Sequence, residues 1–140
     1  MKHITKQSPP ENFIRYKKRT CATFDDLSQN NYDVKQNLKE SLLLEQGYIC
    51  CYCGREVNID SSIIEHLKSR ARYPELQLNY DNLVCSCLGG KDKKTRNPQY
   101  PLYCDAHKSN EDIYIYPIES ICESKFEFDE EGNIYGFDED

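Results

Sequence analysis

Eight cysteines constrain this chain more than any other feature of its sequence. They lie within 140 residues, of which 38% are apolar. A domain of this size buries a limited share of its surface, so an additional cross-link helps it to fold. An even number of cysteines is typical of disulfide frameworks in small secreted proteins, whereas clustered thiols in a reducing compartment are more often metal ligands.

The N-terminal sequence favours reduced cysteines over disulfides. Residues 1–10, MKHITKQSPP, contain neither an apolar core of a signal peptide nor a small-residue cleavage site. No stretch of the chain approaches the roughly 18 consecutive apolar residues that a membrane-spanning helix needs. We therefore expect a cytoplasmic protein with no membrane partner, in which clustered cysteines bind a metal ion.

The spacing of four cysteines predicts a structural zinc site. In the knuckle at residues 50–53, Cys50 and Cys53 are separated by two residues, so both thiolates can reach one ion from a single turn. A tetrahedral zinc ion needs two further sulfur or nitrogen ligands. Cys87 and Cys104 are the best second pair.

Neighbouring cysteines leave alternatives open at two of these positions. Cys51 could replace Cys50 only with strained geometry. Cys85 could replace Cys87, because residues two apart lie on the same side of an extended segment. Free buried thiols or a redox-active pair are the alternatives to a metal site.

The net charge of −6 is unevenly distributed along the chain. Residues 119–140 contain nine acidic residues and one basic residue, which leaves 17 basic and 15 acidic residues elsewhere. Clustered basic residues can bind phosphates, although a solvated surface has the same composition. The residues that we predict to contact nucleic acid are Lys68, Arg70, Arg72, Lys91, Lys93, Lys94 and Arg96.

Hydrophobic patterning predicts an α+β protein in three parts. Residues 1–30 are polar and poorly patterned apart from Phe13, Ile14 and Tyr16, which favours an N-terminal arm. Residues 31–118 form the central domain, and residues 119–140 form an acidic C-terminal hairpin and tail with a Gly-Asn turn. A short buried strand is expected over residues 63–66.

A helix is predicted over residues 33–46. Asp33 and Gln36 have the spacing of a capping box, and an apolar stripe at every fourth residue begins at Val34. Gly47 is suited to end the helix. This helix is expected to support the core.

Between Cys50 and Lys108 the chemically informative residues follow one order. A Cys-x-x-Cys pair precedes Glu-His, Asn-Leu, a further cysteine and Cys-Asp-x-x-Lys. This order resembles the zinc-stapled branch of the HNH, or ββα-metal, endonucleases. The resemblance implies a small ββα-metal domain that hydrolyses phosphodiester bonds in DNA or RNA. The implied cofactors are structural Zn²⁺ and catalytic Mg²⁺ or Mn²⁺.

The resemblance also implies roles for individual residues. His66 is the expected general base, Asn82 the residue that orients it, and Lys108 the match of a lysine in the family motif. A neutral imidazole can accept a proton from water at cellular pH, because its ordinary pKa is near 6.5.

Two carboxylates are the implied ligands of the catalytic cation. Glu65 and Asp105 match the metal-binding positions of the family, and Mg²⁺ prefers oxygen ligands. Glu65 stands where aspartate is common, and Asp105 stands where asparagine or histidine is usual. His107, two residues further on, is an alternative ligand.

A narrower resemblance covers IIEHLKSRARYPELQLNYDNLVCSCLGG and CDAHKSN. These segments are similar to the PtuB-type HNH subunit found with retrons and with Septu-type anti-phage systems. The resemblance implies a PtuA-like partner, an SMC/ABC-like ATPase, and retron msDNA or its reverse transcriptase as further partners. It also implies a longer protein, because such relatives continue past the hairpin. A zinc-stapled module that binds nucleic acid or protein without catalysis is the alternative function.

Overall fold

The computed structural model describes residues 1–136 as a mixture of helices and strands. Short 3₁₀ turns lie at Pro74–Leu76, Tyr80–Asn82 and Cys122–Lys125. None of the helices in this described range is long and apolar enough to cross a bilayer. The elements in chain order are α1 (Glu11–Lys17), α2 (Phe24–Asn30), α3 (Tyr32–Glu45), β1 (Ser62–His66), β2 (Leu83–Cys87), α4 (Cys104–Lys108), β3 (Phe126–Phe128) and β4 (Ile134–Gly136).

The strands form two separate antiparallel pairs. β1 pairs with β2 in a register that runs from Ser62 opposite Cys87 to His66 opposite Leu83. β3 pairs with β4 around the Gly-Asn turn, as the sequence predicts. The last four acidic-tail residues, 137–140, lie outside the described residues.

The predicted central helix is present as α3, shifted by one residue. Leu38 and Leu42 of its apolar stripe are fully buried. The predicted capping box is wrong, because the N-cap residue is Asn31 and its side chain makes no capping hydrogen bond. Gly47 ends the helix as predicted, with a φ of 66° that glycine adopts without steric cost.

Residues 1–30, the segment expected to be a polar and poorly patterned arm, contain two helices that the sequence did not predict. α1 buries Phe13 and Tyr16, and α2 buries Phe24 and Leu27, all within the main hydrophobic cluster under α3. In each helix the buried pair is three residues apart, which places both side chains on one face. Each helix has only seven residues, so its stability comes from tertiary packing more than from intrinsic helix propensity. The domain limits at residues 30 and 118 stay predictions.

The turn after β2 brings α4 against that strand. Gly89 has a φ of 60°, and a Cβ atom there would lie 2.2 Å from the backbone oxygen of Tyr103 and 2.7 Å from the Cβ of Ala106. The Tyr103 amide donates a hydrogen bond to the Gly89 carbonyl at 3.1 Å. Glycine is therefore required at this position, and it fixes Cys104 at the start of α4 beside the end of β2.

The packing of α1 is testable by removing its buried aromatic ring. We expect Phe13→Ala to lower the free energy of unfolding by about 3–5 kcal/mol, because the change leaves a cavity in the core. Its neighbour on the same helix, Ile14, is 39% exposed, so Ile14→Ala should cost less than about 1 kcal/mol. Urea denaturation at constant zinc concentration measures both variants, and equal losses would contradict the packing of α1.

Candidate active site and four-cysteine cluster

The sulfur atoms of the four predicted zinc ligands lie close together. The Sγ atoms of Cys50, Cys53, Cys87 and Cys104 are all within 4.8 Å of one another, and those of Cys50 and Cys104 are 3.9 Å apart. Sulfurs around a tetrahedral zinc ion are about 3.8 Å apart, given Zn–S distances of roughly 2.3 Å. This four-cysteine cluster can therefore hold a zinc ion.

The neighbouring cysteines lie elsewhere. Cys51 is buried in a second apolar cluster beside Leu67 and Val84. The thiol of Cys85 contacts the backbone oxygen of Lys39 at 3.8 Å. The knuckle therefore directs Cys50, and not Cys51, toward Cys87 and Cys104.

Burial and crowding disfavour the thiolate forms of Cys87 and Cys104 when no cation is bound. Burial raises the pKa of the Cys87 thiol to about 11. The contact with the Cys50 sulfur, followed by burial, raises the pKa of Cys104 well above its ordinary value. The Cys87 amide donates a hydrogen bond to the Cys50 sulfur at 3.3 Å. A bound dication would replace the thiol protons and offset half of the negative charge of the four thiolates.

Three of the predicted catalytic and metal-binding residues line one open cavity of about 570 Å³. Glu65 and His66 reach it from the end of β1, and Asp105 reaches it from the first turn of α4. Phe24 and Arg70 form part of the remaining wall. The fold thus brings an imidazole and two carboxyl groups together from segments about 40 residues apart.

Glu65 is a buried carboxyl group with three polar neighbours. Its Oε1 atom accepts a hydrogen bond from the Tyr52 hydroxyl at 2.8 Å and lies 3.1 Å from the Lys108 ammonium. Burial, together with a hydrogen bond to Asp105, raises the pKa of Glu65 to about 8. A divalent cation would displace the proton that this raised pKa favours on Glu65, and the two carboxyl groups supply the oxygen donors that Mg²⁺ and Mn²⁺ prefer.

Lys108 lies behind this cavity. Its side chain is almost fully buried, and its Nζ atom pairs with Glu65 and also lies 3.3 Å from the backbone oxygen of His66. The lysine therefore ties α4 to the end of β1. It compensates the charge of Glu65 rather than facing the cavity that contains His66.

His66 is held as a neutral imidazole. Its Nε2 atom lies 3.0 Å from the backbone oxygen of Gln77. Because a carbonyl oxygen only accepts hydrogen bonds, Nε2 carries the ring proton and Nδ1 retains the lone pair. Burial lowers the pKa of His66 to about 4, and the positive charges of Arg70 and Lys108 contribute to this shift. The ring of Phe24 packs edge-on against the imidazole, with 4.5 Å between ring centroids.

Asn82 does not contact the imidazole that we expected it to orient. Its Oδ1 atom accepts a hydrogen bond from the Lys68 amide at 2.8 Å, and its Nδ2 atom donates to the Lys68 carbonyl at 3.0 Å. The side chain thus binds the backbone two residues after His66. Its influence on the histidine is indirect, through the path of the chain.

His107 does not converge with the two carboxyl groups. Asp105 of α4 and Ser109, the residue that follows the helix, line the cavity of His66. His107 and Lys108 of α4 line a second, mainly apolar cavity with Ile115. The alternative metal ligand therefore lies on a different face of the short helix.

Two of the predicted basic residues line the cavity of His66. Lys91 and Arg70 both reach it. The guanidinium of Arg70 lies over the Phe24 ring, 5.0 Å from its centroid, and pairs with Asp25 at 2.6 Å. Residues of α2 thus form one wall of the site, which no pattern in residues 1–30 indicated.

The other predicted basic residues lie outside this cavity. Lys68 lies 3.7 Å from Asp112, and Arg72 pairs with Glu111 at 3.0 Å, so both charges are partly compensated by the segment after α4. The exposed loop after β2 carries the remaining three residues, Lys93, Lys94 and Arg96.

Comparison with known proteins gives no matching family model but does give a named relative. Over 138 residues the chain is 28% identical to a protein of Vibrio cholerae serotype O1 biovar El Tor named "Retron Vc95 putative HNH endonuclease". This relative confirms the resemblance to HNH endonucleases. The match covers 96% of the chain, and therefore extends well beyond the segment from Cys50 to Lys108. It spans 63% of the relative's length.

The buried, neutral state of His66 can be measured directly. In buffer with zinc but without magnesium or manganese, we expect the His66 ring to stay neutral as the pH falls from 7 to 5 and to gain a proton only near pH 4. Burial disfavours the charged ring, so its pKa is lowered below the ordinary value near 6.5. NMR spectra of ¹⁵N-labelled histidine side chains report each ring, and a His66→Gln variant assigns the signal. Protonation of His66 at about pH 6.5 would contradict its burial.

Proposed function

We propose that this chain is the nuclease domain of a metal-dependent HNH endonuclease that hydrolyses phosphodiester bonds in DNA or RNA. The observation that supports this most is the convergence of His66, Glu65 and Asp105 in one open cavity. β1, β2 and α4 then correspond to the ββα-metal unit. The name of the Vibrio cholerae relative supports the same reaction.

The four-cysteine cluster is the structural zinc site of this domain. Four thiolates in tetrahedral spacing are typical zinc ligands and leave no open position for a substrate. The ion would join the knuckle at residues 50–53 to the end of β2 and the start of α4. Glu65, His66 and Asp105 all belong to segments that these connections hold.

Glu65 and Asp105 would hold a second cation. Hard cations such as Mg²⁺ and Mn²⁺ prefer these oxygen donors, and such an ion stabilises the negative charge that develops on the phosphate and the leaving oxygen. Lys108 and Tyr52 hold the Glu65 carboxylate from behind.

His66 is the general base. Attack of a water molecule on phosphorus requires the loss of a proton, and the Nδ1 lone pair of the neutral ring can accept it. The hydrogen bond from Nε2 to Gln77 and the edge-on Phe24 ring keep the imidazole in one orientation. Arg70 and Lys91 supply positive charge for the substrate phosphates at the same cavity.

The biological setting that we propose is anti-phage defence. The similarity of the chain to PtuB-type subunits and to a retron-associated relative supports this setting. In it, the nuclease acts with a PtuA-like SMC/ABC-like ATPase that restrains it, and retron msDNA and reverse transcriptase are further partners.

The nuclease activity is tested with His66→Ala. Plasmid DNA and structured RNA are incubated with Mg²⁺ or Mn²⁺, and we expect the variant to cleave at least about 100-fold more slowly, because it lacks the proton acceptor. His107→Ala is the matched control, since His107 lines the other cavity, and it should cleave like the wild type.

Zinc content must be equal in all three proteins, so that a loss of activity reports chemistry and not misfolding. A wild type that binds nucleic acid and cleaves neither substrate, even together with the ATPase, would establish a binding module instead.

The zinc site is tested by metal analysis after gel filtration. We expect one zinc ion per chain in the wild type and less than about 0.2 in Cys53→Ser, because a hydroxyl is a poor zinc ligand. Cys21 is exposed and lies outside the four-cysteine cluster, so Cys21→Ser should keep its zinc. Full zinc content in Cys53→Ser would exclude this cysteine as a ligand.

A further inference from the structure

Tyr52 lies between two proposed zinc ligands and reaches the other metal site. It precedes Cys53 directly and follows Cys50 by two residues. Its ring packs against both hydrophobic clusters, and its hydroxyl donates a hydrogen bond to the Oε1 atom of Glu65 at 2.8 Å. One side chain therefore connects the knuckle to the carboxylate at the end of β1.

Tyr52 and Lys108 meet Glu65 at the same oxygen atom. The hydroxyl lies 2.8 Å and the ammonium 3.1 Å from Oε1. A carboxylate offers about four acceptor positions on its two oxygens. Because both donors converge on Oε1, they fix the rotation of the carboxylate without competing for Oε2.

The position of the Tyr52 hydroxyl is set by the backbone of the knuckle. The Cys51 amide donates a hydrogen bond to the Cys85 carbonyl of β2 at 3.0 Å, and the Gly54 amide donates to the Cys50 carbonyl at 3.0 Å. These hydrogen bonds and the flanking proposed zinc ligands, Cys50 and Cys53, restrain Tyr52 from both sides. Any shift of the knuckle would therefore move the hydroxyl relative to Glu65.

We propose that Tyr52 is a positioning residue for the catalytic cation, which holds Glu65 in its metal-binding orientation and couples that orientation to the four-cysteine cluster. The proposal rests on the proposed nuclease function and extends it to a residue outside the HNH motif. Tyrosine is required because phenylalanine would fill the same space but leave Oε1 with one donor fewer. A hydrogen bond to a charged group contributes more than one between neutral groups.

The test is the variant Tyr52→Phe, with Mn²⁺ binding as the main measurement. Zinc-loaded protein is titrated with Mn²⁺, and free Mn²⁺ is followed by electron paramagnetic resonance. We expect the dissociation constant for Mn²⁺ to rise on the order of tenfold, while zinc content stays at the wild-type level. Cleavage should fall at low Mn²⁺ concentration and recover at saturating concentration.

Tyr114→Phe is the matched control. Tyr114 lines the same apolar cavity as the Tyr52 ring, but it is 78% exposed. This variant removes one hydroxyl from the same cavity and should leave Mn²⁺ affinity and cleavage unchanged.

The outcomes separate this proposal from the nuclease function. Unchanged Mn²⁺ affinity in Tyr52→Phe would overturn the positioning role, and so would a loss of zinc that explains the weaker binding. If the wild type binds no Mn²⁺ and cleaves nothing, the proposed function itself fails. If the wild type binds Mn²⁺ and cleaves nucleic acid, and Tyr52→Phe does the same at every Mn²⁺ concentration, only the role of Tyr52 is refuted.

Discussion

The convergence of four cysteine sulfurs is the interaction on which the rest of this structure depends. It joins the knuckle at residues 50–53, the last residue of β2 and the first residue of α4. α4 has only five residues and would not form in isolation. Cys104 has a φ of 52°, a conformation that is unfavourable for a residue other than glycine. Ligation of a metal ion by Cys104 would offset this local cost, and the position of Cys104 beside the other three sulfurs brings Asp105 to the cavity of His66.

Burial in the cavity of His66 favours the neutral forms of two different groups, an imidazole and a carboxyl group. Burial and an aromatic neighbour keep the imidazole neutral, so it is in its basic form across the physiological pH range. Burial of Glu65 beside Asp105 instead favours a protonated carboxyl group until a cation binds. The same low-polarity surroundings therefore keep the imidazole unprotonated and favour a proton on Glu65 that a metal ion must displace.

Local patterns in the sequence were sufficient for the longer elements. The apolar stripe of α3 predicted that helix to within one residue, because the stripe repeats over enough residues to select one period. The two adjacent isoleucines before Glu65 predicted β1 to within one residue, although so short a run has no period. α1 and α2 were missed because each contributes only two buried side chains, and such a pair has no period of its own. Packing against the hydrophobic surface under α3 stabilises both helices.

Residue types and spacing predicted which groups the fold brings together, but not how they are oriented. The C-x-x-C spacing indicated the ligand pair of the knuckle, whereas the choice of Cys50 over Cys51 depends on the direction of one turn. Similarly, α4 is too short for its sequence to show that Asp105 and His107 occupy different faces. Asn82 contacts the backbone of Lys68. Sequence spacing cannot predict this contact, because every residue type except proline offers the same backbone groups.

The participation of α2 in the wall of the cavity has a consequence for engineering. A graft of residues 50–108 onto another scaffold would carry the cysteines, the carboxyl groups and the imidazole, but it would leave Phe24 behind. Water would then reach the ring that Phe24 now shields, and the basicity of the transplanted histidine would return toward that of free imidazole. The minimal portable unit of this site therefore starts upstream of its recognisable motif.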